Sequence, residues 1–255
     1  MFYMHVSIPC QTERFNKPPC RTTVGDYYSG KTYLGRIMNK EQSALASRLG
    51  ALATSTLANA LDRAGCMNCT MVNLKPVAPG MRFAGPAVTV REVSGPFGTF
   101  ESSDFRVGAM IDAAGEGDVI VVAADGVPYS TWGGMASLAA AVKGIAGIAV
   151  DGGARDADET VEAGFNVFSR HLIPTTGRCR LRVADIDTTV VVDGVTVAGG
   201  DWIVADDTGI LSIPVKAVED VIELAETFTR EDEKAAAAIR DGMKFSDAMK
   251  KFGNI

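Results

Sequence analysis

The segment Gly117-Asp-Val-Ile-Val-Val-Ala-Ala-Asp125-Gly126 constrains the fold more than any other. An apolar run with no polar break stands between a Gly-Asp turn and an Asp-Gly turn. A strand with one wet face alternates polar and apolar residues, so this run reads as a strand buried on both faces. Gly200-Asp-Trp-Ile-Val-Ala-Asp-Asp-Thr-Gly209 repeats the plan. Two copies are too few for a solenoid. They point to a layered α/β core with mixed strands. A doubly wound sheet is not expected, because helical and strand patterns do not alternate regularly along the chain.

Around these runs the pattern is ordinary. Residues 40–64 carry apolar residues at helical spacing, with Thr54-Ser55-Thr56 as a capping point for a second helix ending near Gly65. Residues 82–93 read as a strand, 105–114 as a helix, 134–143 as an Ala-rich helix and 147–151 as a short apolar strand. A helix over 156–163 follows, then strands at 166–169, 180–185, 188–192, 202–205 and 209–213, and a helical tail from 214 to 252. Residues 1–38 mix prolines, cysteines and aromatics without period. They read as an N-terminal extension, an arm onto a neighbouring subunit, or the product of a start codon placed too early. The domain reading is therefore an extension at 1–38, a catalytic domain at 39–230 and a helical tail at 231–255.

The net charge of −6 and the lack of any basic block argue against a nucleic-acid binder. The most apolar stretch, 135–150, is broken by Lys143, Gly144 and Gly147, so no membrane span is expected. The first residues lack the basic start and apolar region of a secretory signal, and the expected location is cytoplasmic. Cys66-Met-Asn-Cys69 could suggest redox or zinc chemistry, yet no second CxxC exists and the chain has only His5 and His171. Two reduced thiols at a helix end are the simpler reading, and His171 reads as a loop or edge histidine. Chemistry here must use carboxylates, Arg, Lys, backbone amides or a hard metal.

Two segments offer such groups. In Thr131-Trp-Gly-Gly-Met-Ala-Ser137, paired glycines open a helix, whose first amides suit a carboxylate or phosphate; a plain strand-to-helix turn would look the same. In Asp151-Gly-Gly-Ala-Arg-Asp156, a tight turn at Gly152-Gly153 would present Arg155 and Asp156 side by side at a strand end. Arg supplies a fork for a carboxylate, and Asp a hard oxygen for Mg²⁺ or Mn²⁺. A surface pair that merely solvates a turn is the alternative. Since one helix and one short strand separate the segments, both can reach the same sheet edge. Together they would serve a 2-oxo acid, which needs donors for its carboxylate and a metal for its carboxylate and keto oxygens.

Gly133-Gly134, twenty residues and then Arg155-Asp156 resemble a family signature, Gly-Glu/Asp-x20-Arg-Asp. It is that of the class II 4-hydroxy-4-methyl-2-oxoglutarate aldolases and the proteins similar to regulator of ribonuclease activity A (RraA-like). The likeness runs from about Ser55 to Ala225 through Lys75-Pro-Val-Ala-Pro-Gly80, Phe83-Ala-Gly-Pro-Ala-Val-Thr-Val90 and the two apolar runs. It implies an α-β-β-α sandwich of the swivelling-domain type, assembled as a homotrimer or hexamer with sites between subunits. It implies substrate binding by Arg155, a divalent metal on Asp156, and a pyruvoyl carboxylate held by the amides of Gly133, Gly134, Met135 and Ala136. The implied chemistry is retro-aldol cleavage releasing pyruvate, with or without oxaloacetate decarboxylation, and no Schiff-base lysine.

One departure stands out: the family's acidic residue is Gly134 here, which favours decarboxylation over aldol cleavage. Asp125, Asp206 and Asp207 are candidates to move protons in its place, though each also reads as a turn residue. Asn59 stands where many relatives carry Asp. The alternatives to a lyase are a non-catalytic regulator that binds a ribonuclease or helicase, and a related enzyme on another 2-oxo or hydroxy acid.

Overall fold

The computed structural model describes residues 38–252; the extension expected at 1–38 lies outside the described residues, apart from Met38. Helices α1 (Lys40–Ala51) and α2 (Thr54–Arg63) lead into the short strands β1 (Thr70–Met71) and β2 (Lys75–Pro76). The long strand β3 (Phe83–Ser94) is followed by α3 (Val107–Ala113), β4 (Val119–Ala123), β5 (Ser130–Trp132) and α4 (Gly134–Lys143). Then come β6 (Gly147–Ala154), α5 (Ala157–Glu162), β7 (Val167–Leu172) and β8 (Leu181–Ile186). Strands β9 (Val190–Val192), β10 (Val195–Val197), β11 (Trp202–Asp206) and β12 (Gly209–Ile213) precede α6 (Val218–Arg240) and α7 (Phe245–Lys251).

Strand β3 joins two sheets because it is long enough to serve both. Phe83 to Pro86 pair antiparallel with β11, and Ala87 to Arg91 pair parallel with β4. The main path runs β1-β12-β11-β3-β4-β6-β7-β2, with β5 on β6 and β8 on β3. Strands β9 and β10 form a separate hairpin whose two-residue turn, Asp193-Gly194, has positive φ at both positions; that geometry matches the strand twist and suits Asp-Gly.

The apolar runs are buried on both faces. In β4, Val119, Val121 and Ala123 enter a core between the sheets, while Ile120 and Val122 pack with Met110 of α3 and Ala140 of α4. In β11, Ile203 and Ala205 enter the inter-sheet core, while Trp202 and Val204 pack under α1, α2 and α6. Helix, sheet, sheet and helix therefore form four layers, and the α-β-β-α sandwich with mixed strands is the observed fold. The order of elements along the chain departs from expectation in one respect. From β3 to β7, helices and parallel strands do alternate. The sheet is still not doubly wound, because α3 and α4 cover a single face and the second sheet covers the other.

Other differences are local. No side chain caps α2; the Thr54 amide and hydroxyl both donate to Asp206, at 2.9 and 2.6 Å. Helix α6 runs unbroken through the expected boundary at 230/231. Cys66 and Cys69 follow α2 as free, half-buried thiols. No helix of the described residues is long and apolar enough to cross a membrane.

Candidate active site

Gly152 and Gly153 do not form the expected turn. They lie inside β6, which stays extended through Ala154. The physical reason is close packing: a Cβ on Gly153 would come within 2.7 Å of Tyr129 O and of the Ile173 side chain. Asp151 is also absent from the site. It pairs with Arg170 at 2.6 Å, beside the hairpin turn.

Arg155 and Asp156 emerge just past the end of β6. The Arg155 amide donates to Trp132 O at 3.0 Å, which fixes the Arg-Asp pair against Gly133 and the start of α4. Asp156 has φ 55°, a left-handed conformation that Asp tolerates better than most residues. Its side chain does not cap α5. Instead Oδ2 accepts from the Gly134 amide at 3.2 Å and lies 3.4 Å from Arg155 Nε. Both side chains remain partly open to solvent.

The structure thus brings Gly133, Gly134, Arg155 and Asp156 together. Gly134 donates to Asp156, so the amides of Met135 and Ala136, which have no acceptor within a helix's first turn, are the donors left for a ligand. Behind them Ser137 is buried. Its hydroxyl donates to Gly133 O at 3.1 Å, accepts from Trp132 Nε1 at 3.0 Å and pairs with Thr160 of α5 at 3.1 Å. This link between both halves of the site was not read from the sequence, where Ser137 showed only as the end of a motif. Glu159 was missed as well. A Cβ on Gly134 would overlap Glu159 Oε2 and lie 2.6 Å from Glu159 Cβ.

The other acids considered lie elsewhere. Asp207 accepts from the Gly80 amide at 2.7 Å, in a loop contact. Burial pushes the Asp206 carboxyl up, but hydrogen bonds from Thr54 and turn amides outweigh it and hold the group below the usual range. Asp125 lines a depression with Arg170, Asp193 and His171, whose Nε2 meets Gly126 O at 2.9 Å. Asn59 faces a depression beside Phe228 of α6, in the layer opposite α4.

Glu92 is a buried titratable group directly behind the site. It is 1% exposed, and its Oε2 accepts from the hydroxyl of Thr131, two residues before Gly133. Among the described residues Oε1 has no hydrogen-bond partner. Burial pushes its pKa up to about 7, against the lowering effect of Thr131. The folded value lies above the unfolded one, so the protein loses stability as pH rises from about 4.5 to 7 and the unfolded chain ionises first. The loss is on the order of 3 kcal/mol over that window. Glu92→Gln is expected to gain this amount on the wild type between pH 5 and pH 8 in urea titrations. A difference that stays constant with pH would rule the effect out.

Asp156 is a hard oxygen donor, and among the described residues no three His, Cys, Asp or Glu side chains gather as a metal cage. A donor set of one or two carboxylates fits Mg²⁺ or Mn²⁺, ions that keep several waters in such sites.

A family model, RraA-like, described as Aldolase/RraA, matches residues 54–212. An uncharacterized protein of Methanocaldococcus jannaschii is 30% identical over 69% of this chain and 82% of its own length. A protein of Halalkalibacterium halodurans, named as a putative 4-hydroxy-4-methyl-2-oxoglutarate aldolase, is 29% identical over 81% of this chain and 93% of its own. Among solved structures, Streptomyces coelicolor RraAS2, described as an unusual member of the RNase ES inhibitor RraA protein family, superposes with a TM-score of 0.67. It is 25% identical, over 80% of this chain and 98% of that one.

Proposed function

Since this chain belongs to the RraA-like (Aldolase/RraA) family, we propose that it is a divalent-metal-dependent carbon–carbon lyase that releases pyruvate from 2-oxo acids. Its substrates would be 4-hydroxy-4-methyl-2-oxoglutarate-like acids, oxaloacetate, or both. The observation that carries this reading is the convergence of Arg155, Asp156 and the start of α4, with Asp156 Oδ2 between the Gly134 amide and Arg155 Nε.

The Met135 and Ala136 amides hold the substrate carboxylate at the positive end of α4, and the Arg155 fork supplies the matching charge. Asp156 would hold Mg²⁺ or Mn²⁺, whose contribution is to polarise the 2-oxo group. Both reactions break the C3–C4 bond and leave a pyruvate enolate. Arg155 stabilises that charge best if it is fixed in advance, and the Arg155–Trp132 backbone bond fixes its Cα. Met135, Leu138 and Val142 form an exposed apolar stripe along α4, beginning at the site. A second copy of the chain covering this stripe would complete the site in a homotrimer or hexamer.

The test is a coupled pyruvate assay over a panel of 2-oxo acids. Release with Mg²⁺ that stops on chelation is expected. No release from any member would overturn the reading. In that event the description of the Streptomyces coelicolor relative favours a second reading, a regulator that binds a ribonuclease, and capture of such an enzyme would support it.

A further inference from the structure

We infer that Cys66 and Cys69 form a dithiol site that closes to a disulfide by exchange with a small organic disulfide, Cys66 attacking first. The pair lies in the layer of α1, α2 and α6, opposite α4, and its chemistry does not depend on the lyase reading.

The pair sits in a short bridge between two fixed elements. Helix α2 ends in a turn at Gly65, with φ 75°, where the Cys66 amide donates to Leu61 O at 2.9 Å. On the other side Cys69 O accepts from the Ser212 amide at 2.8 Å, just ahead of the pairing of β1 with β12. Between them the chain bends at Asn68, with φ 58°, whose Nδ2 donates to Gly194 O of the hairpin at 2.9 Å. The bend brings Cys69 Sγ back against residue 66, at 3.6 Å from Cys66 O and from Met67 O. Cross-linked cysteines have Cβ atoms about 3.5–4.5 Å apart, so the remaining reach is short. Met67, between the two, is exposed, which opens the bend to a small molecule. Both thiols are free, and among the described residues no third His, Cys, Asp or Glu joins them as a metal cage.

The two sulfurs are not equivalent. The Cys69 thiol points at two carbonyl oxygens that hold its proton, and burial pushes it up, with Cys66, Asp201 and Asp62 adding to the effect. Among the described residues Cys66 Sγ has no such contact, so its thiolate starts the exchange. It attacks one sulfur of RSSR, forms a mixed disulfide and expels RS⁻. Cys69 then gives its proton to water and attacks the Cys66 sulfur, closing the ring and expelling the second RS⁻. Two protein thiols lose two electrons, and RSSR gains them to become two thiols.

The test exposes the full chain to oxidised glutathione, then alkylates the remaining thiols and maps peptides by mass. Cleavage after Arg63 and Arg82 gives one peptide that holds both cysteines and no other. In wild type that peptide should take up no alkyl group and be lighter by two hydrogens, and dithiothreitol should reverse both. In Cys69→Ser it should instead carry one glutathione on Cys66. That adduct should form about tenfold or more faster than any on Cys69 in Cys66→Ser. Wild-type thiols that stay open to alkylation, or two glutathiones on one peptide, would overturn the site without recourse to either variant. Equal rates in the two variants would overturn the role given to Cys66.

Discussion

Replacing Asp156 by Asn is expected to lower kcat/KM for pyruvate release by about 10³-fold, on the order of 4 kcal/mol of transition-state stabilisation, and to leave the fold intact. What Asn keeps decides the outcome. Asn also tolerates the left-handed conformation that Asp156 adopts at φ 55°. Its side-chain oxygen can still accept from the Gly134 amide. The charge and the second oxygen are lost, and with them the anionic carboxylate that would hold a divalent cation. Ala makes the contrast: it loses the charge and also meets the left-handed strain, about 1–2 kcal/mol. Pyruvate release, Mn²⁺ binding and thermal melts on the two variants separate chemistry from strain. Activity of the Asn variant within tenfold of wild type would show that Asp156 does not hold the metal.

The sandwich was legible wherever burial imposes a local signature. Val119 to Ala124 had to be covered on both faces, and in the folded chain alternate residues of β4 enter two different cores. That Arg155 and Asp156 meet the start of α4 was legible in their spacing from Gly133-Gly134. The misreadings all involve partners distant in sequence. Gly153 looks like a turn residue, and only the neighbouring strand β5 shows that its missing side chain makes room for Tyr129 O. Thr54 looks like a helix cap, but its acceptor is Asp206, 152 residues away. Glu159 looks like an ordinary acid in a first helical turn. Its placement over Gly134 depends on how α5 packs against α4, and no local pattern encodes that.

Removing Arg170 is expected to cost about 3–5 kcal/mol of stability, the scale for breaking a buried ion pair from one side. Arg170 bridges Asp151 and Asp193, at 2.6 Å in each case, and the side chains of these two aspartates are only 7% and 5% exposed. The network holds distant parts together: Asp151 is in β6, Asp193 is in the hairpin turn, and Asp193 also binds the amide and side chain of Asn73. In Arg170→Ala the two carboxylates keep these positions but lose their shared cation. Acid should then relieve the variant. In wild type, burial pushes the Asp193 carboxyl up, while hydrogen bonds from Asn73 and Arg170 outweigh it and hold the group low. Its contribution is therefore present above the unfolded value near 3.9 and lost as pH falls through the lower folded value. Without Arg170 the Asp193 carboxylate protonates more readily, so the stability gap between wild type and variant should narrow from pH 7 to pH 4 in urea titrations. A gap under about 1 kcal/mol at pH 7 would mean that water replaces Arg170 there, and that the hairpin is held by its apolar face on the inter-sheet core.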